Sequence, residues 1–442
     1  MNRKFLISHL PSPISNLSSL ISHLSSLILF IFHFSFFIFH SHSSSAQVPL
    51  ALDVQLRTRG EYNNGAIVPR NEGETPALFI NERARVGVHY SQQHLELRLA
   101  AQHTGVWGQD NIKERNGRLA MHEAWAKLYF SQNIFAQLGR QQLSYDDERL
   151  LGTSDWDVAG NWHDALRFGY HNGSTKAHLI LAVNQNSENN RTGYYAEAMP
   201  YKAMQTLWLH HDFERQPVGV SLLAMNLGRE AGTNTNGKTK LMQTLGTHLT
   251  FTPQGLDLAA SFYFQTGRTT ADKDVSAFMG SLSGSYALSA DCRVRGGYDY
   301  LSGNDGRNIN EHAFDPLFGT HHKFYGAMDY FTGRSEYGLQ DLHIGLSATL
   351  QQLPRLRELL LPMDISLDYH YLLTAEAPQK LSKSLGHELD LHLSCHPMKD
   401  VTLSAGYSFF LGTATMDALK GGAHRSWQDW AWVSLSVAPR LK

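Results

Sequence analysis

Leu52–Tyr62 reads LDVQLRTRGEY, with Leu52, Val54, Leu56, Thr58 and Tyr62 on one parity and Asp53, Gln55, Arg57, Arg59 and Glu61 on the other. Side chains on a strand alternate between faces, so this stretch is a strand with one apolar and one charged face. The pattern recurs. Leu95, Leu97 and Leu99 oppose Glu96 and Arg98, while Leu256, Leu258, Ala260, Phe262 and Phe264 oppose Asp257, Ser261 and Gln265. Met363, Ile365, Leu367, Tyr369 and Tyr371 oppose Asp364, Ser366, Asp368 and His370, and Leu389, Leu391 and Leu393 oppose Glu388, Asp390 and His392. A soluble sandwich also alternates, but its strands run about 5–6 residues. These run to about ten, the length that crosses a bilayer at a tilt. The chain therefore reads as a membrane barrel around a charged lumen.

Bulk composition agrees. The 442 residues are 42% hydrophobic and 18% charged, and a mean hydropathy of −0.31 excludes a helical membrane bundle. Residues 1–46 carry Arg3 and Lys4, the apolar run Leu27–Phe39 and the small residues Ser44, Ser45 and Ala46. That order is expected of a cleaved secretory signal, with an uncleaved anchor as the alternative. The Ser/Leu/His-rich repeat ahead of the apolar run is unusual and fits a start site further downstream. Cleavage after Ala46 leaves 36 basic against 40 acidic residues, which argues against nucleic acid as a partner. Cys292 and Cys395 are the only cysteines and fall on apolar parities, so no disulfide scaffold is expected.

Connections alternate in length. Long ones are expected at Asn63–Pro76, Gly105–Arg118, Gln141–His163, Gln185–Ala203, Gly228–Thr239 and Gly267–Val275, with short ones at Ser91–Gln93, Ser131–Asn133, His171–Ser174, Glu214–Pro217 and Thr252–Gly255. Long outer loops and short periplasmic turns mark outer-membrane barrels. Every alternating segment counted gives about 19 strands, an odd number, but treating Ser302–Gly338 as one long loop that contains the apparent strand Lys323–Phe331 restores an even order. The expectation is an all-β, single antiparallel barrel of about 18 strands over residues 47–442. Only Gln47–Ala51 precedes the first strand, so no plug domain is expected.

Arg57 and Arg59 share a parity, as do Arg83 with Arg85 and Arg293 with Arg295. An arginine facing lipid at the midplane costs about 2–4 kcal/mol, so these pairs must face inward. Arg98 and Arg167 join them on parity. Such a lumen could bind carboxylates or phosphates through the planar guanidinium fork. The plainer alternative is that inward acids, among them Asp53, Glu61, Glu96, Glu123, Asp257, Asp299, Asp368, Glu388 and Asp390, pair with the arginines across neighbouring strands.

The segment Gly139–Phe168 is the most specific in the chain. Gly139-Arg140-Gln141 ends a strand, Arg149-Leu150-Leu151-Gly152 and Trp156 follow, and Asp164-Ala165-Leu166-Arg167-Phe168 returns. This block, with His312–Phe331 and His387–Thr413, resembles the alginate-export family of outer-membrane barrels. The resemblance covers most of residues 50–440. It implies a barrel of about 18 strands that passes an anionic uronate polysaccharide through an arginine-rich constriction shaped by inward loops. Arg140, Arg149 and Arg167 match the family's basic residues, with Asp147 and Glu148 as acidic neighbours. The carboxyl end departs from the usual barrel signal, since Pro439-Arg440-Leu441-Lys442 carries no terminal aromatic.

Other chemistry is less well supported. Asp146, Asp147 and Glu148, or Asp155 with Asp157, could serve a glycan hydrolase, but loop acids beside arginine are more often salt-bridged. No serine and histidine pair stands out for a hydrolase. His210 and His211 alternate faces and cannot share an ion, and the loop pair His321–His322 reads as solvated. Ser302–Gly306 lacks the glutamate of an EF-hand and reads as a turn. The eight tryptophans (Trp107, Trp125, Trp156, Trp162, Trp208, Trp427, Trp430 and Trp432) are expected in the interfacial aromatic belts. The expectation is a non-enzymatic outer-membrane channel of a Gram-negative cell, without catalytic residues, metal or cofactor. Its cargo is an anionic glycan or small anionic solute, met by Arg57, Arg59, Arg83, Arg85, Arg140, Arg149, Arg167 and Arg295. Outer-membrane lipid, the barrel-assembly machinery and periplasmic export proteins are its expected partners. The alternative is a surface barrel that binds glycan or ligand without conducting.

Overall fold

A two-residue period sends every second side chain outward, and the computed structural model places the apolar set there. It describes residues 50–110, 118–195, 199–350 and 362–441; the expected leader lies outside them. The wall begins with β1 (Leu50–Asn64), β2 (Ala77–Gln92), β3 (Leu95–Val106), β4 (Leu119–Tyr129), β5 (Ile134–Gln141) and β6 (His163–Asn172). It continues with β7 (Thr175–Val183), β8 (Ala203–Asp212), β9 (Val218–Ala231), β10 (Lys238–Phe251), β11 (Leu256–Arg268) and β12 (Asp274–Ala287). It ends with β13 (Cys292–Leu301), β14 (Leu339–Thr349), β15 (Met363–Leu373), β16 (Ser384–Met398), β17 (Val401–Gly412) and β18 (Gln428–Val437).

Each strand pairs antiparallel with its chain neighbours, and β1 pairs with both β2 and β18. The sheet is thereby closed and leaves no free edge, the condition for crossing lipid with strands. Arg440–Leu441 adds a two-residue strand beside β1, with Asp53 opposite Arg440, so the unusual carboxyl end completes the seam. The odd apparent count resolves as expected: Lys323–Phe331 lies inside the 302–338 connection, as a single 3-10 turn at His321–Lys323 followed by irregular chain. Two connections expected to be long are short, at 232–237 and 269–273, because β9 through β12 extend further and carry their hairpins beyond the neighbouring strands.

The outer face is apolar around the whole wall, with Leu56, Val86, Leu99, Leu138, Leu222, Leu245, Phe262, Leu282, Ile344 and Leu435 all exposed. The packed core lies inside the barrel instead. The connections 142–162 and 302–338 enter the lumen and bring Leu143, Leu150, Leu151, Phe314, Phe318 and Met328 against inward Ile180, Met204, Met225, Leu227 and Met279. The two loops also pair with each other as a short parallel bridge, Leu151 with Phe318. Gly152 N–H donates to the Phe318 carbonyl (3.0 Å), Phe318 N–H to Leu150 (3.0 Å) and Thr320 N–H to Glu148 (2.9 Å). A Cβ at Gly319 would stand 2.3 Å from the Arg149 carbonyl oxygen, so this approach requires glycine.

Candidate functional site

The paired loops form a partition across the lumen, and adjacent residues in them point into two different spaces. Asp157 and His321 line a cavity of about 610 Å³ with Arg140, Trp162, Asp164 and Asn186 at the long-loop end. Trp156 and His322 line a second, of about 710 Å³, with Arg149, Arg295, Asp368 and His392 deeper in the barrel.

Four inward arginines of β1 and β2 hold the first loop. Arg57 donates to the Asp155 carbonyl at 2.5 Å, Trp156 at 3.1 Å and Asp157 at 2.8 Å. Arg59 donates to the Trp156 carbonyl at 3.0 Å and lies 3.9 Å over that indole, while its Nε bonds Glu61. Arg83, whose side chain is fully buried, reaches the Asp155 carboxylate at 2.9 Å. Arg85 bonds Gln102, which donates to the Ala159 carbonyl at 3.0 Å. A loop carbonyl packed away from water needs a partner, and a charged donor supplies a strong one. All four are inward as their parity requires, yet Arg57, Arg59 and Arg83 are taken up by the chain's own loop and Arg85 by Gln102.

Arg149 sits at the joint between the loops, buried under Phe324 at 4.0 Å, with Asp147 and Asp299 each at 2.8 Å and the Tyr325 hydroxyl at 3.3 Å. Burial alone would lower its pKa, but Asp299, Tyr325 and Asp147 outweigh it and raise the value above the ordinary one. Arg295 makes a bidentate pair with Asp368 in the deeper cavity. Arg98 with Asp53 and Glu123, and Arg293 with Asp257, follow the cross-strand pairing weighed above. Arg140 stands apart: it shares the parity of exposed Ile134 and Leu138, and pairs with Asp164 at 2.9 Å on the outer side of the rim. Arg167 is inward, donating to Gln137 at 2.6 Å. The structure therefore gathers Arg57, Arg59, Arg83 and Arg85 round one loop, brings Arg149 and Arg295 to the deeper cavity, and leaves Arg140 and Arg167 apart from both.

Carboxylates hold the second loop. Glu388 accepts from Met328 N–H at 2.7 Å and Asp390 from Ala327 N–H at 3.3 Å. The aromatic expectation needs correction here. Trp125 and Trp208 turn toward the lumen, and Trp156, Trp430 and Trp432 cluster within it, with His322 stacked on Trp156 at 4.1 Å. Only Trp107 and Trp427 are substantially exposed among the eight. His322 is not a solvated tip residue either, since its Nδ1 lies 2.9 Å from both oxygens of Asp329. The parity of Trp430 and Trp432 with Ser434 and Ser436, against Val433 and Leu435, is the signal that assigns them inward.

A closed barrel with an apolar outside, a charged inside and long loops at one end defines an outer-membrane β-barrel of the channel class. The long loops are extracellular and the short turns periplasmic, in the outer membrane of a Gram-negative bacterium. The chain belongs to the alginate export family, whose sequence profile matches residues 48–358. No curated protein sequence matches it. Among solved structures it is similar to OpdK from Pseudomonas aeruginosa, with a TM-score of 0.62 and 9% identity over 89% of this chain and 99% of that one. OccK9 (OpdG) from the same organism gives 0.63 and 13% over 89% and 98%, and OccAB4 from Acinetobacter baumannii 0.60 and 10% over 90% and 100%. At these identities the likeness is one of fold.

Proposed function

We propose that the barrel passes anionic glycans or small anionic solutes by diffusion, along a wall of unpaired cations. The observation that carries this reading is on β4 to β7. Lys127, Arg167 and Lys176 face the lumen there without a salt-bridged carboxylate among the described residues. Lys127 lies over the rings of Tyr129 and Phe135, at 4.7 and 4.2 Å, and Arg167 flanks the same Phe135. Lys127 stands opposite Glu96 across β3 and β4 without a close ion pair, and cations not locked to a carboxylate can take and release a passing one, since conduction needs release as much as capture. Arg57, Arg59, Arg83 and Arg85 act in this reading by fixing the constriction, and Arg149 and Arg295 by shaping the deeper cavity behind it. The family's polymer is an anion, and one similar barrel, OpdK, has been solved with vanillate, a carboxylate.

The test is the reversal potential of single channels in a planar bilayer under a salt gradient. The wild type should prefer anions, uronate oligomers should interrupt its current, and Lys127→Glu with Arg167→Glu should move the reversal potential toward cations. An unmoved potential would sink the proposal. The loops that fill the lumen favour a second reading, a barrel that binds its ligand without conducting. Ligand binding with no single-channel current would establish that one.

A further inference from the structure

We propose that Asp341, His343 and His370 form a divalent metal site of the zinc class, open to the deeper lumenal cavity. Asp341 and His343 are two residues apart on β14 and so share the inward face. The antiparallel register sets His370 of β15 directly opposite His343. His370 Nδ1 lies 2.9 Å from an Asp341 carboxylate oxygen, and His343 Nδ1 lies 3.4 Å from the same oxygen. One ligand atom from each residue falls within 4.8 Å of the others. Zinc bonds of about 2.0–2.2 Å to nitrogen and oxygen, in a tetrahedral arrangement, place ligand atoms about 3.3 Å apart. Small side-chain rotations reach that geometry.

Three further features fit an ion better than a plain hydrogen-bonded triad. His343 Nδ1 is buried without a hydrogen-bond partner, so one imidazole nitrogen is poorly served as the site stands. The His343 ring packs over Gly297, its register partner on β13, where a Cβ would meet Nε2 at 2.7 Å; any other residue there would displace the ring. His370 turns its Nε2 toward Asp390 at 3.8 Å, beyond hydrogen-bond length but placed so that a small shift would let it donate as a metal-bound imidazole does to an outer carboxylate. The neighbouring Asp299 is engaged by Arg149, which leaves Asp341 to the histidines.

The donor set selects the metal class. Two imidazoles with one carboxylate suit zinc, nickel or cobalt, whereas calcium and magnesium prefer oxygen alone. Three protein ligands leave a coordination position, and all three line the cavity of about 710 Å³. Water or an oxygen of a solute inside the lumen can occupy that position. The site stands independently of which cargo the barrel carries.

The test uses the untagged, full-length barrel, stripped with chelator and titrated with Zn²⁺ or Co²⁺ alone. One zinc per barrel should bind at micromolar concentration, and Co²⁺ should give the visible absorption of a low-coordinate nitrogen and oxygen site. His343→Ala and His370→Ala should each weaken binding by more than the roughly 10–100-fold typical of losing an outer-shell partner, and Asp390→Asn by less. His210→Ala, at a half-buried histidine beside Asp212 and away from the cluster, should change nothing. Heat-dependent gel mobility separates a misfolded variant from a folded one that has lost metal, and the wild-type cobalt spectrum needs no variant at all. Absence of that spectrum, or undiminished binding in a folded His343→Ala/His370→Ala barrel, would overturn the proposal.

Discussion

The two loops inside the barrel are held by opposite chemistry. The 142–162 loop presents carbonyl oxygens to the guanidinium groups of Arg57, Arg59 and Arg83, whereas the 302–338 loop presents amide N–H groups to the carboxylates of Glu388 and Asp390. Each wall supplies the charge that the backbone group facing it needs. Charge in this lumen is therefore spent first on holding the constriction, and only what remains can meet a solute. The contrast also divides the wall into β1–β2 and β16, which anchor, and β4–β7, where the inward Lys127, Arg167 and Lys176 carry no salt bridge among the described residues.

The comparison is broken most severely by removing the guanidinium side. Arg57→Gln with Arg83→Gln strips donors from the carbonyls of Asp155 and Asp157 and a partner from the Asp155 carboxylate. A hydrogen bond from a charged donor contributes about 1.5–3 kcal/mol, and less at exposed Asp155 and Asp157, but several such bonds are lost together. The 142–162 loop should leave the partition, raising single-channel conductance severalfold and exposing the loop to added protease. Conductance and protease resistance equal to wild type would show that the apolar packing of Leu143, Leu150 and Leu151 holds the loop without the arginines.

This anchoring role was only half legible in the sequence. A period of two fixes which face Arg57, Arg59, Arg83 and Arg85 occupy, because lipid would reject them. It carries no information on what meets them there, and the partners of Arg57 lie 98 to 100 residues away in a segment without regular structure. Arg140 shows the opposite limit: its motif resemblance suggested a basic lumenal residue, while its parity with Ile134 and Leu138 already pointed outward. Among the tryptophans, position near a strand end suggests the membrane interface for Trp430 and Trp432, whereas their parity points into the lumen, where the fold has them. The Asp341, His343 and His370 cluster was legible only in part. Asp341 and His343 have the spacing that a strand requires, but His370 joins them through a register that no local pattern states.

A smaller effect is expected on the carboxylate side. Glu388→Ala removes the acceptor of the Met328 amide and should loosen the 302–338 loop. Its first part remains tied to the wall through Ser276 N–H to Glu311 O and Glu311 N–H to Asp274 O, both 2.8 Å. Conductance should rise modestly, with added current noise rather than a new stable level. Glu388→Gln keeps an acceptor oxygen and should stay near wild type. Equal effects of the two variants would mean that charge, and not the hydrogen bond, holds this loop.

The smallest effect concerns the joint where the two loops meet. Glu148 accepts from Ser144 at 2.7 Å and from Thr153 N–H at 3.4 Å, and faces Lys323 of the other loop at 3.9 Å. Burial pushes its pKa up, but the bonds from Ser144, Thr320 and Thr153 and the charge of Lys323 prevail and hold it below the usual carboxylate value. A depressed folded pKa means that the stabilisation is complete above the unfolded pKa, about 4.3 for glutamate, and is lost as pH falls through the lower folded value. Channel noise should therefore be flat from neutral pH down to mild acid and rise only in stronger acid. Glu148→Gln cannot titrate, so it should begin slightly noisier and lose this acid-dependent rise. An acid response identical in the variant would show that Glu148 is not the group that titrates.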